Sequence, residues 1–210
     1  INKMIATYNK NVGDVLMLIV ANNEGAEVTY ERKADVARIF REDTGQTVGW
    51  NIFDIKKDWP DVAQGQNDLS EHQVAELNEK LKAAGFGEQL TYDGQPKFVV
   101  AEILTMEDHA DSDHLHVCQV EVGLDAPVQI VCGAPNAVVG MKTVAALPGA
   151  MMPSGSLIWP GALRGVPSYG MLCSARELDL PNAPQVRGII ELNTDLEAGL
   201  AFDATSMWQA

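Results

Sequence analysis

Residues 107–118, EDHADSDHLHVC, put three of the chain's four histidines, one of its three cysteines and several carboxylates into a dozen positions. If the segment runs into a strand, His114, His116 and Cys118 fall on one side at i, i+2 and i+4, with same-face neighbours about 6.8 Å apart. Two adjacent members of that row could share a zinc ion. Val120 and Val122 continue the same side, so the competing reading has His116 and Cys118 pointing into an apolar interior. A fourth ligand would have to come from far along the chain, where no second histidine or cysteine cluster exists. No metal and no cofactor is expected.

Nucleophilic chemistry has weaker support. GVPSYG at 165–170 resembles a nucleophile elbow, but the glycine spacing is wrong and the strand-to-helix setting is missing. Cys173 beside Ser174 has no histidine adjacent in sequence. Gly161, Gly165 and Gly170 do not make a dinucleotide fingerprint and read as turn glycines. The expected protein is not an enzyme.

The elements that position these residues fall into two regions, 1–96 and 97–210. In the first, VGDVLMLIVA (12–21) and AEVTYER (26–32) are strand-like runs separated by NNEG, a turn of the hairpin kind. ADVARIFRED (34–43) places Val36, Ile39 and Phe40 at helical spacing, and TVGWNIFDI (47–55) returns to strand chemistry. SEHQVAELNEKLKAAG (70–85) is the strongest helix signal, with Ser70 to cap it, Val74, Leu77 and Leu81 as its stripe and Gly85 to end it. A small α+β domain of unknown role is expected there, with Trp50, Phe53 and Trp59 in its core. After the turn-rich YDGQP (92–96) the texture changes to short strands with frequent Gly and Pro: KFVVAEIL, LHVCQVEVG, PVQIVCG, MKTVAAL and, near the end, RGIIEL. With one short helix, SARELDL, these predict an all-β barrel of the OB type.

The formal net charge is −14. Residues 1–96 hold 10 basic and 16 acidic groups, giving −6, and residues 97–210 hold 5 and 13, giving −8. Such a balance repels polyanions at long range and is an obstacle to broad nucleic-acid binding, which needs clustered Lys and Arg. The longest apolar run, VLMLIVA at 15–21, is far short of the about 20 residues that cross a bilayer, so no membrane association is expected. Met4 is the expected natural start, with Ile1-Asn2-Lys3 a cloning remnant and no secretory signal, and three widely spaced cysteines fit reduced thiols in a cytoplasm.

Three blocks in order, HADSDHLHVCQVEVG (109–123), QIVCGAPNAVVGMKTVAALPGAMMPSG (129–155) and LRGVPSYGMLCSARELDL (163–180), closely resemble the tRNA-binding OB module. That module occurs as stand-alone bacterial proteins, in methionyl-tRNA synthetases and in the phenylalanyl-tRNA synthetase β chain. The resemblance covers about residues 97–203. An α+β unit ahead of such a module further resembles the YtpR-type tRNA-binding proteins. The family pattern His-Pro-x-Ala-Asp-Lys-Leu aligns with His109 to Leu115, so His114 stands where a lysine is usual and Ala110 replaces the proline.

By position, the resemblance implies an RNA-facing set of His114, Asn136, Lys142, Arg164, Ser168, Met171 and Ser174. Arg164 could fork onto a phosphate, and Ser168 and Ser174 could bond phosphate, 2′-hydroxyl or a base edge. Asn136 could read a base or hold a turn, and Met171 could meet an unstacked base or be buried. The implied function is non-catalytic tRNA binding, weak and shape-based, with tRNA as partner and an aminoacyl-tRNA synthetase or self-association as further expectations. About three phosphate contacts would give a salt slope near about −2. The alternative is a protein-interaction module that has lost RNA affinity, for which the −8 of the second region speaks.

Overall fold

The computed structural model describes residues 4–209; the reading of residues 1–3 as a remnant lies outside them. The chain divides into two compact units, Ile1–Gln95 and Pro96–Ala210. No helix among the described residues is long and apolar enough to cross a membrane.

The first unit is α+β. Strands β1 (Ile5–Tyr8), β2 (Val15–Ile19), β3 (Val28–Lys33), β4 (Val36–Arg41), β5 (Thr47–Phe53) and β6 (Gly65–Asn67) form an antiparallel sheet in the order β3-β4-β5-β2-β1-β6. Helix α1 (Glu71–Ala83) begins with a complete capping box: Ser70 Oγ accepts from the Gln73 N–H, and Gln73 Oε1 accepts from the Ser70 N–H. It ends as its glycine requires, with the Gly85 N–H on Lys82 O and the Phe86 N–H on Leu81 O. Val74, Leu77 and Leu81 pack with Leu16, Leu18, Trp50 and Ile52. Trp59 joins this core, while Phe53 is half-buried under the Arg32 guanidinium at 3.9 Å.

Two expectations fail here. Residues 34–43 hold strand β4 (Val36–Arg41), not a helix: Val36, Ile39 and Phe40 match a helical period by coincidence, and pairing with β3 and β5 decides. The runs joined by NNEG are not hairpin partners either, because β2 pairs with β1 and β5 while β3 pairs with β4.

The second unit is an all-β barrel of OB type. Strands β7 (Phe98–Asp108), β8 (His116–Glu121), β9 (Val128–Cys132), β10 (Lys142–Ala146) and β13 (Met171–Leu172) run in the order β13-β10-β7-β8-β9, and β11 (Gly161–Leu163) pairs with β12 (Val166–Ser168). The long β7 serves both neighbours because a register shift between Ile103 and Thr105 lets it bend, its first half on β10 and its second on β8. The seam beside β9 is closed by the Tyr169 N–H on Gln129 O, 2.8 Å, and the Val131 N–H on Ser168 Oγ, 3.0 Å. Gly170 makes that closure possible: at φ 147° a Cβ there would lie 2.8 Å from Ala146 O.

Val99, Ala101, Ile103, Cys118, Val120, Val122 and Ile130 fill the barrel. On the outer face Val100, Val144 and Ala146 are covered by Ile190, Leu192 and Phe202 and by the short helix α2 (Ala204–Met207) with its neighbours. The expected strand RGIIEL is an extended segment held by Ile190 N–H on Cys173 O and a single bridge from Leu192 to Lys142, because β13 takes the place beside β10. The expected helix SARELDL makes one turn before Asp179 turns left-handed ahead of Pro181.

Candidate nucleic-acid interface

The loop from β7 to β8 is organised by His109, which is 3% exposed. Its Nδ1 accepts from the Asp111 N–H at 3.0 Å, so the neutral ring carries its proton on Nε2 and donates it to Leu163 O at 3.0 Å. Ser112 Oγ accepts from the His114 and Leu115 N–H groups, and the His109 N–H closes the loop on Leu115 O. His114 stands exposed at the outside, its Nδ1 3.1 Å from Asp113 Oδ1. The His114 hydrogen bond, then Asp113's own backbone N–H, hold the Asp113 carboxyl below the usual carboxylate range.

Leu163 precedes the two-residue turn Arg164-Gly165 that joins β11 to β12, with φ 47° at Arg164 and 82° at Gly165. Both positive values are those of a primed hairpin turn, in which an arginine is costlier than Asn or Gly. The Arg164 guanidinium reaches back to donate to Asp111 O at 2.8 Å. No ion pair involves Arg164 among the described residues.

Two others of the implied set stand together elsewhere. Asn136 lines a cleft of about 290 Å³ with Ser174, Arg176, Arg187, Glu191 and Trp208. Its carboxamide accepts from the Ile189 N–H and donates to Ile189 O, both at 2.9 Å. Ser174 is locked with Glu177, each accepting from the other's backbone N–H. Met171 lines a neighbouring cleft of about 420 Å³, to which Arg176 also belongs. Ser168 is buried at the barrel seam, and Lys142 donates to the carbonyls of Leu196 and Thr194. The structure therefore brings His114 and Arg164 to one rim and Asn136 and Ser174 to one cleft, buries Ser168 in the seam and commits Lys142 to backbone carbonyls.

Arg176, Arg187 and Trp208 were not foreseen. The available signal was scarcity: in a region with 5 basic residues, each arginine outside the core deserved weighing. The row that opened the question of zinc resolves differently. Cys118 and Cys132 lie in the barrel core, and His116 Nε2 is 3.4 Å from Asp108 Oδ1. Burial pushes the Cys118 and Cys173 thiols up to about 12 and that of Cys132 upward, which keeps all three protonated at neutral pH. Among the described residues no group of three His, Cys, Asp or Glu is placed to hold a metal ion.

Residues 98–201 match the family described as "Putative tRNA binding domain", and residues 23–93 match a domain of unknown function, DUF4479. The chain is 46% identical over 200 residues to the "Putative tRNA-binding protein YtpR" of Bacillus subtilis (strain 168), covering 95% of this chain and 99% of that one. It is also 46% identical over 111 residues to the phenylalanine–tRNA ligase beta subunit of Lactiplantibacillus plantarum, and 50% over 105 residues to that of Psychrobacter arcticus. Those matches span 53% and 48% of this chain but only 14% and 13% of the ligase subunits.

Proposed function

Because the chain belongs to the YtpR family of tRNA-binding proteins, we propose that it binds folded tRNA, without catalysis, through the loop rim of its barrel. The observation that carries this reading is the docking of the Arg164 turn onto the 109–115 loop, which sets an arginine with no ion pair among the described residues near the exposed His114 and the Asp113 carboxylate. Arg164 takes a phosphate and His114 a second contact that strengthens when the ring is protonated. Asn136, Ser174 and Met171 act from the clefts, while Ser168 and Lys142 act by holding the backbone that presents the others. Few charges in an acidic unit mean weak, shape-dependent binding with a shallow salt dependence. A synthetase that receives or releases the tRNA is the natural protein partner.

Titrating bulk tRNA into the full chain at low and moderate salt tests this: weak binding with a log–log slope near about −2 is expected. No binding even at low salt would sink it. A second reading, a protein-interaction or self-association module in the cytoplasm, draws on Val138 and Val139, 58% and 59% exposed on an acidic barrel. It predicts concentration-dependent association with no response to tRNA.

A further inference from the structure

The second unit holds five basic residues, Lys97, Lys142, Arg164, Arg176 and Arg187. Lys142 is committed to backbone carbonyls and Arg164 is the tip of the hairpin. Arg176 and Arg187 are both exposed and line the same 290 Å³ cleft, and no ion pair involves either among the described residues. Two of the unit's five basic groups thus stand on one concave surface, with Glu191 the one carboxylate in the same lining.

The walls of that cleft are fixed by hydrogen bonds unrelated to any ligand. Asn136 behaves as a strand partner for Ile189, and it approaches so closely that a Cβ on Gly188 would lie 3.0 Å from Asn136 Oδ1. Glu177, the acid nearest Arg176 in sequence, is drawn onto the Ser174 hydroxyl at 2.7 Å and the Ser174 N–H at 3.1 Å. Trp208 spends its indole N–H on Pro181 O, 3.0 Å, so what it adds to the cleft is apolar surface, continued by Val186 at 71% exposure. One carboxylate remains: Glu191 accepts from Asn136 Nδ2 at 3.2 Å and keeps further acceptor capacity.

Anion donors, an apolar platform and one acceptor within a space at the lower edge of the roughly 300–1,000 Å³ of ligand pockets match one nucleotide, not a duplex. We propose that this cleft binds a single unpaired nucleotide of the RNA, its phosphate on Arg176 and Arg187, its base against Trp208 and Val186, and a sugar hydroxyl or base amine on Glu191. The inference rests on the tRNA-binding reading and adds to it the class of element recognised, an unpaired loop or end. A free mononucleotide offers the same chemistry, and the test separates the two sources.

The full chain, Arg176→Ala/Arg187→Ala and Arg176→Lys/Arg187→Lys are titrated with bulk tRNA across a salt series. A short single-stranded RNA, its duplex form and adenosine 5′-monophosphate are titrated in parallel, with tryptophan fluorescence as readout and Trp208→Phe as control. The alanine pair is expected to bind tRNA on the order of tenfold more weakly per arginine, with a slope shallower by about 1.4, two single-strand phosphate contacts. The lysine pair recovers the slope. Single-stranded RNA perturbs Trp208 fluorescence and the duplex does not. Equal affinity and slope in wild type and the alanine pair would overturn the cleft while leaving the rim intact. Absence of tRNA binding in the wild type would instead overturn the functional reading and the RNA ligand with it. Adenosine monophosphate binding as tightly as the RNA strand would assign the cleft to free nucleotides and reject the proposal as stated.

Discussion

His109 Nε2 donates to Leu163 O across 3.0 Å, and this bond joins the loop after β7 to the hairpin β11–β12, 54 residues further along the chain. The other ring nitrogen holds the Asp111 N–H, and Asp111 in turn offers its carbonyl to Arg164. Removing the imidazole empties a site that is 3% exposed and takes the side-chain partner from the Leu163 carbonyl and the Asp111 N–H. His109→Ala is expected to lower stability by about 1–3 kcal/mol in denaturant melts and to weaken tRNA binding in the fraction that stays folded. His109→Gln keeps a donor for Leu163 and should recover part of both; equal behaviour of the two variants would remove His109 from the account of the rim.

Arg164 separates backbone cost from side-chain function. At φ 47° glycine is the easier residue, so Arg164→Gly is expected to leave stability unchanged or raise it by up to about 1 kcal/mol. The same change should weaken tRNA binding and make the salt slope shallower by about 0.9, the loss of one phosphate contact. A glycine variant that binds like wild type would show that the arginine serves the turn alone.

His114 occupies the position where the tRNA-binding module usually carries lysine. His114→Lys should tighten tRNA binding at pH 8 and steepen the slope by about one unit. His114→Ala should let the Asp113 carboxyl return toward its ordinary value, read by NMR titration, because the His114 hydrogen bond is the largest cause of its depression. With a depressed native value, the Asp113 contribution is present above the ordinary carboxylate range and fades as pH falls through the native titration.

Gly170 leaves no room for a side chain at the seam. A Cβ 2.8 Å from the Ala146 carbonyl at φ 147° would push the seam apart, so Gly170→Ala is expected to cost about 2 kcal/mol or more, measured by thermal and chemical melts. Gly140→Ala, where a Cβ would meet nothing within 4 Å, is the comparison that isolates the clash from the positive φ.

The buried thiols give an alkaline signature. Cys118 and Cys173 titrate near about 12 when folded, while the unfolded chain ionises nearer the ordinary thiol range. Stability is therefore whole below that ordinary range and declines as pH rises toward the folded values. A thiol-specific reagent at pH 8 should react slowly with the native protein and fast in denaturant.

The helix at 71–83 was legible because cap, stripe and terminal glycine all lie within sixteen consecutive residues, so no distant partner had a vote. Residues 34–43 were misread because Val36, Ile39 and Phe40 satisfy either period, and the pairing with β3 and β5 that chooses the strand lies outside the window. At the rim, Arg164 and His114 were expected from the family resemblance, position by position, and the structure exposes both. Asn136 could not be understood that way, since its partner Ile189 is 53 residues away, and neither could the meeting of Arg176 with Arg187 across the same cleft. Hydrogen bonds of that span leave no periodic trace in a single chain.

The segment that lifts Arg164 to the surface is also the one that seals the cylinder, through Ser168 and Tyr169 against β9. On the proposed reading, grip and closure are one equilibrium. Any ligand that clamps the hairpin must also slow the breathing of the wall, and deuterium uptake at the Val131 and Tyr169 amides is a gauge of occupancy placed well away from the point of contact.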